Sequence, residues 1–149
     1  MASAKDIVKR IKDEEIEWVD LRFTDPKGKW QHLSMVSGVM GEDELEDGIM
    51  FDGSSIAGWK AINESDMKLR PDLTTAYIDP FYQQTTLFLF CDVLNPDSGE
   101  PYNRDPRSIA KKALNYVKSA GVGDTAYFGP EAEFFVFDDV RWNTSPNKT

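Results

Sequence analysis

The sequence has one cysteine and one histidine in 149 residues. Cys91 has no intrachain disulfide partner, and in the apolar run Leu87-Phe88-Leu89-Phe90-Cys91 a thiol acts as a small hydrophobic filler. His32 has no second histidine and no nearby cysteine to share a metal with, so no metal or catalytic role is expected of it. Basic residues are also scarce, 17 against 26 acidic ones for a net charge of -9, and no basic cluster stands out. Nucleic-acid binding rests on a basic surface that releases counterions, so a nucleic-acid partner is not expected. There is no run of about eighteen apolar residues and no charged-then-apolar profile at Met1–Asp6. The chain is therefore expected to be neither exported nor membrane-spanning, and with its lone cysteine to work in the reducing cytoplasm. Walker-type phosphate loops, Gly-x-Gly-x-x-Gly after a strand, Gly-x-Ser-x-Gly elbows, repeats and low-complexity tracts are all missing. Nucleotide binding cannot be read from motifs.

What is present is material for a core: 40% hydrophobic and 29% charged residues place the chain with globular proteins, and its length suits one domain plus a piece of another. Ser3 as N-cap, Asp6 three residues on, and the stripe Ile7, Val8, Ile11 predict a helix over Ser3 to about Asp13. Val19, Leu21 and Phe23 alternate with polar residues, Asp25-Pro26-Lys27-Gly28 is turn chemistry, and Lys29 to Val36 is expected to return as the second strand of a hairpin. The acidic run Glu42 to Asp47 reads as a solvated helical turn in preference to a metal-attracting loop. Thr75 to Ile78 and Thr85 to Val93 predict two more strands, the second apolar enough to be central in a four- or five-strand mixed sheet. Asn95 to Pro101 is rich in turn residues and is placed as a domain boundary. Asp105-Pro106-Arg107 then starts a helix carrying Ile109, Ala113, Tyr116, Val117 and Ala120 on one face, with Gly121 as its stop.

Two segments suggest chemistry. Tyr127 to Phe137 reads as a strand, in which Glu131 and Glu133 would share a face with Cα atoms about 6 to 7 Å apart. Hard carboxylate oxygens so arranged suit magnesium, manganese or calcium, the alternative being two exposed side chains on an edge strand, which Pro130 equally permits. The second segment is Met50 to Lys60, where Asp52-Gly53-Ser54-Ser55 can present a carboxylate, two hydroxyls and free N–H groups to a small polar ligand. The alternative is an Asx turn that serves only its own backbone. Trp59 nearby is expected in a core or interface.

Five stretches in one order carry a resemblance: Val19 to Asp25, Phe51-Asp52-Gly53-Ser54-Ser55-Ile56, Asn63-Glu64-Ser65-Asp66-Met67, Arg104-Asp105-Pro106-Arg107, and Gly129-Pro130-Glu131-Ala132-Glu133-Phe134-Phe135. Together they resemble the N-terminal third of a bacterial type I glutamine synthetase, over the chain up to about Trp142. The resemblance implies an α+β fold: residues 1–101 as a β-grasp-like N-terminal domain, and residues 102–149 as the first helix and strand of an incomplete α/β catalytic domain. It further implies that Glu131 and Glu133 are metal ligands, each serving one of two Mg2+ or Mn2+ ions, and that Asp52 binds ammonium and draws off its proton while Ser55 lines the same pocket. Asp66 and Trp59 match the same interface region, and in the family this loop enters the active site of a neighbouring subunit of a homo-oligomer, expected to be a dodecamer.

The implied activity is a glutamate-ammonia ligase using ATP, glutamate and ammonium through an acyl phosphate. The chain lacks the remaining metal ligands and the glutamate and ATP contacts, so by itself it is expected to be inactive. Two other readings stand beside this one: a free-standing β-grasp binding or interaction module, and an inactive paralogue that joins an oligomer. An exposed apolar patch at Phe128, Phe134 and Val136 is expected if the second sheet lacks its neighbours.

Overall fold

The protein is described by a computed structural model over residues 2–59 and 65–144. Asn63 and Glu64 of the matched stretch, and Ser145 to Thr149 of the polar tail, lie outside the described residues. The chain opens with helix α1 (Ala4–Asp13). Its capping box is formed: the Ser3 hydroxyl accepts from the Asp6 N–H at 3.2 Å and the Asp6 carboxylate accepts from the Ser3 N–H at 2.9 Å. A cap of this kind stabilises a helix by about 1 kcal/mol. Ile7 and Ile11 are buried against the sheet.

Strands β1 (Trp18–Thr24) and β2 (Trp30–Val36) pair antiparallel with Trp18 opposite Val36 and Thr24 opposite Trp30. The hairpin turn is held by Asp25, whose carboxylate accepts from the N–H groups of Lys27 and Lys29 and from the Gln31 amide, each at 2.9 Å. Helix α2 (Glu42–Asp47) is the acidic run, solvated as expected, with Leu45 alone turned fully inward. It leads into β3 (Ile49–Asp52), followed by β4 (Asp66–Pro71), the two-residue β5 (Tyr77–Ile78), β6 (Thr86–Leu94) and helix α3 (Pro106–Ser119).

The strands form one six-stranded mixed sheet in the order β2-β1-β6-β4-β3, with β5 added to β6. β6 is central, as its unbroken apolar run predicts: it pairs parallel with β1 and antiparallel with β4 and β5. Val19, Leu21, Met67, Leu69, Leu87, Leu89 and Val93 are fully buried, each worth about 2 kcal/mol in area removed from water. The architecture is α+β.

The sheet has more strands than expected. β3 lies inside the stretch read as loop, and β4 alternates Met67, Leu69 and Pro71 inward with Asp66, Lys68 and Arg70 outward, a period of two in a segment where no strand was expected. The expected strand at Thr75 shrinks to Tyr77–Ile78 because the Asp72 carboxylate draws Leu73–Thr75 into a 3-10 turn, accepting from the Thr74 N–H at 3.1 Å and its hydroxyl at 2.6 Å.

Beyond α3 the expected strand over residues 127–137 is absent. A strand is defined by a hydrogen-bonded partner, none pairs with this segment among the described residues, and Pro130 offers no N–H. Phe128, Phe134, Phe135 and Val136 are more than four-fifths exposed, which is the apolar patch anticipated from the sequence.

Candidate functional site

Asp52 closes β3 directly opposite Asp66 at the start of β4. Both are solvent-exposed. Two carboxylates therefore stand at facing positions at this end of the sheet. After Asp52 the chain makes a 3-10 turn over Gly53–Ser55. The Asp52 carboxylate accepts from the Ser54 N–H at 2.8 Å, the Ser54 hydroxyl at 2.7 Å and the Ser55 hydroxyl at 3.4 Å. The hydroxyl of Ser54, then its N–H, holds the Asp52 carboxyl below the usual carboxylate range. Asp52, held as the carboxylate, and the neutral Ser55 hydroxyl are thus brought together. The Asx-turn geometry is also realised, so the same carboxylate that orders the turn is presented at the surface.

Gly53 explains why the turn can sit so close to the sheet. Its N–H donates to the Ser65 carbonyl at 2.7 Å, and a Cβ there would collide with the side chain of the fully buried Met67. Trp59 at the far end is core: it packs with Phe23, Phe51 and Tyr102 at ring separations of 5.4, 6.2 and 5.5 Å. This is the core placement that the sequence allowed, and its indole N–H finds no hydrogen-bond partner among the described residues.

Two residues reach this loop from the connection into α3: Tyr102, and Arg104, which belongs to a matched stretch but has no role legible in the sequence. The Tyr102 hydroxyl donates to the Trp59 carbonyl at 3.2 Å, and Arg104 Nη1 donates to the carbonyls of Gly58 at 2.7 Å and Trp59 at 3.3 Å. A separation of more than forty residues leaves no local pattern by which to find these contacts.

Glu131 and Glu133 are exposed and form no hydrogen bond or ion pair among the described residues. The shared β-face proposed for them lacks the strand that would create it. Their chemistry, hard carboxylate oxygen two residues apart, fits a magnesium or manganese ion as part of a coordination shell. No group of three or more His, Cys, Asp or Glu side chains that could hold a metal ion occurs among the described residues. His32 has a structural role: its Nδ1 lies 2.7 Å from Asp20 Oδ1. Asp20, 1% exposed, also accepts from the Ser34 hydroxyl at 2.6 Å and from Arg22 Nε at 2.7 Å. Burial alone would raise its pKa, but the bonds from Ser34, Arg22 and His32 outweigh that and leave it below the usual range.

A curled sheet order with a central parallel pair, an anionic loop at one edge and a helix capping the connection places the chain among β-grasp proteins of α+β class. The glutamine synthetase β-grasp domain model matches residues 15–96, and the glutamine synthetase catalytic domain model matches residues 103–149. The chain belongs to the glutamine synthetase family. Over all 149 residues it is 64% identical to a glutamine synthetase of Bradyrhizobium diazoefficiens, of which it covers 32%. It is 57% identical over 141 residues to a 3-hydroxylaminophenol mutase of Cupriavidus pinatubonensis, covering 95% of this chain and 30% of that one. Among solved structures, a Plasmodium falciparum glutamine synthetase superimposes with a TM-score of 0.72 at 26% identity, over 81% of this chain and 23% of that one. The chain spans about a third of the length of the curated relatives it matches.

Proposed function

We propose that the chain is the N-terminal part of a glutamate-ammonia ligase, in which it supplies the ammonium-binding loop and two metal-ligand glutamates. The observation that carries this reading is the facing pair Asp52 and Asp66 beside the Ser54 and Ser55 hydroxyls, an exposed group of oxygen acceptors whose charge suits an ammonium ion. Residues 1–101 are taken as the β-grasp-like domain and residues 102–149 as the start of the catalytic domain. The working protein is taken to be a cytoplasmic homo-oligomer in which the loop serves a neighbouring subunit.

In the proposed reaction the γ-phosphoryl group of ATP passes to the side-chain carboxylate of glutamate, leaving ADP, and ammonia displaces phosphate from the acyl phosphate to give glutamine. Asp52 accepts hydrogen bonds from ammonium and takes its proton as the amine lone pair is committed to the carbonyl carbon. Because Ser54 and Ser55 hold that carboxyl below the usual range, it is ionised whenever ammonium arrives. Ser55 orients the ion. Glu131 and Glu133 would hold divalent ions, which when bound neutralise phosphate charge.

The test joins this chain to the remainder of the Bradyrhizobium diazoefficiens relative and assays ATP-dependent glutamine formation. Activity that falls at least about a hundredfold in kcat/KM for ammonium with Asp52→Ala supports the reading; ammonium kinetics indifferent to that substitution would sink it. The 149-residue chain alone is expected to form no glutamine, since among the described residues no group of three or more His, Cys, Asp or Glu side chains could hold a metal ion. A second reading comes from the mutase relative: conversion of 3-hydroxylaminophenol by the same joined protein, with no glutamine formed, would favour it.

A further inference from the structure

The loop between Asp52 and Trp59 is fixed at its near end by β3–β4 pairing and by Gly53 packed on Met67. Its far end is fixed from elsewhere. We propose that Arg104 and Tyr102 are positioning residues for the Asp52 and Ser55 site, acting through the backbone carbonyls of Gly58 and Trp59. The inference rests on the ammonium-site reading of that loop.

The geometry forms a continuous path from the centre of the sheet to the site. Tyr102 is anchored on β6, its N–H donating to the Val93 carbonyl at 2.8 Å, and its own carbonyl accepts from the Asp105 N–H at 3.1 Å. From that anchor the Tyr102 hydroxyl and the Arg104 guanidinium take hold of the two consecutive carbonyls that end the loop. Gly58 has φ of +86°, a left-handed backbone that glycine adopts without strain. The hold is then passed back along the loop: the Trp59 N–H donates to the Ile56 carbonyl at 3.1 Å, and the Ile56 N–H donates to the Gly53 carbonyl at 3.2 Å. Ser55 lies inside this last turn. Both ends of the turn that carries Ser55 are thus held by hydrogen bonds, and loosening the far end is expected to free the Ser55 hydroxyl from Asp52.

Arginine suits the task because one planar group offers several donors in fixed directions, whereas lysine offers a compact point charge on a flexible stem. Arg104 and Tyr102 also belong to the segment leading into α3, so the same contacts tie the loop to the start of the second family-matched region.

Amide exchange on the 149-residue chain reads the contact directly. Arg104→Gln is expected to speed exchange at Ile56 and Trp59 about tenfold, with β1 and β6 amides unchanged and Arg104→Lys intermediate. Tyr102→Phe, which removes only a hydroxyl, is expected to speed Trp59 and decides the matter if Arg104→Gln does not fold. Unchanged exchange at both amides overturns the proposal. In the protein joined to the Bradyrhizobium diazoefficiens remainder, Arg104→Gln is expected to raise the KM for ammonium about tenfold, with Arg104→Lys restoring most of the loss and the KM values for glutamate and ATP unmoved. If Asp52→Ala raises that KM and Arg104→Gln does not, the positioning role fails alone. If Asp52→Ala has no effect, the ammonium-site reading fails, and the exchange result still decides whether Arg104 and Tyr102 hold the loop.

Discussion

Gly53 and Asp20 show how single side chains, or the lack of one, set this structure. At Gly53 the missing Cβ is what lets the turn lie on Met67, which is itself fully buried and has no room to yield. Gly53→Ala is expected to cost about 1 to 3 kcal/mol through overpacking, read as a lower urea midpoint with an unchanged slope. Asp20 is a buried carboxylate kept ionised by Arg22, Ser34 and His32. Removing it with Asp20→Ala leaves Arg22 with Asp79 as its carboxylate partner but removes the bonds from Ser34 and His32, and should cost about 1 to 3 kcal/mol. Because the folded pKa of Asp20 is depressed, its stabilisation is complete above its unfolded value of about 3.9 and disappears as pH falls through the lower folded value. Thermal melts of the wild-type chain should hold steady from neutral pH down to about 4 and drop below it; in Asp20→Ala that drop should be shallower. Sequence alternation placed Asp20 on a polar face, and what it did not reveal is that hairpin register sets Ser34 directly across from it and His32 across from Arg22.

At the scale of elements, α3 depends on its first turn. Asp105 is fully buried, and its carboxylate accepts from the N–H groups of Arg107 and Ser108 at 3.2 and 3.1 Å and from the Ser108 hydroxyl at 2.6 Å. Arg107 pairs with Asp72 and with Asp92 in β6, and Lys111 reaches Asp92 at 2.6 Å. No side chain of α3 is buried, so capping and these ion pairs hold it to the sheet in place of an apolar stripe. Asp105→Ala should lower stability by about 1 to 2 kcal/mol, with amide protection lost through α3 before it is lost in β6. Caps were legible throughout: Ser3 with Asp6, and Asp105 with Pro106, follow from local hydrogen bonding that needs no distant partner. β3 was not, because four residues between an acidic helix and a Gly-Ser turn carry too short a pattern, and its inward face exists only once β4 is beside it. The segment around Glu131 failed in the opposite sense, having the composition of a strand without a neighbour to complete it.

For the molecule as a whole, the candidate site divides into a loop that the sheet and the contacts from Tyr102 and Arg104 build together, and a carboxylate pair, Glu131 and Glu133, in a segment that joins no strand among the described residues. Asp52 and Ser55 stood out in the sequence because Asp-Gly-Ser-Ser is locally rich in polar groups, their ammonium-site roles being what the family resemblance implies, and the structure places the two side chains within hydrogen-bonding distance. The clasp from Arg104 and Tyr102 was invisible, since it joins residues far apart in the chain. Metal affinity should follow the same division. Two exposed carboxylates leave most of a six-coordinate shell to water, so calorimetry on this chain should give a manganese Kd of about 1 mM or weaker, abolished by Glu131→Gln. Tight stoichiometric binding that survives that substitution would show the ligands to be elsewhere.

The parallel union of β1 with β6 has a consequence during synthesis. Trp18 to Arg22 lie beside Thr86 to Phe90, so the first hairpin leaves the ribosome long before the strand that completes it. At about 5 to 20 residues per second the wait is several seconds, during which Val19 and Leu21 lack Leu87 and Leu89, their β6 neighbours in the finished sheet. A nascent chain stalled before residue 86 should therefore engage chaperones through its hairpin, and release them once β6 has emerged and slotted into the middle of the sheet.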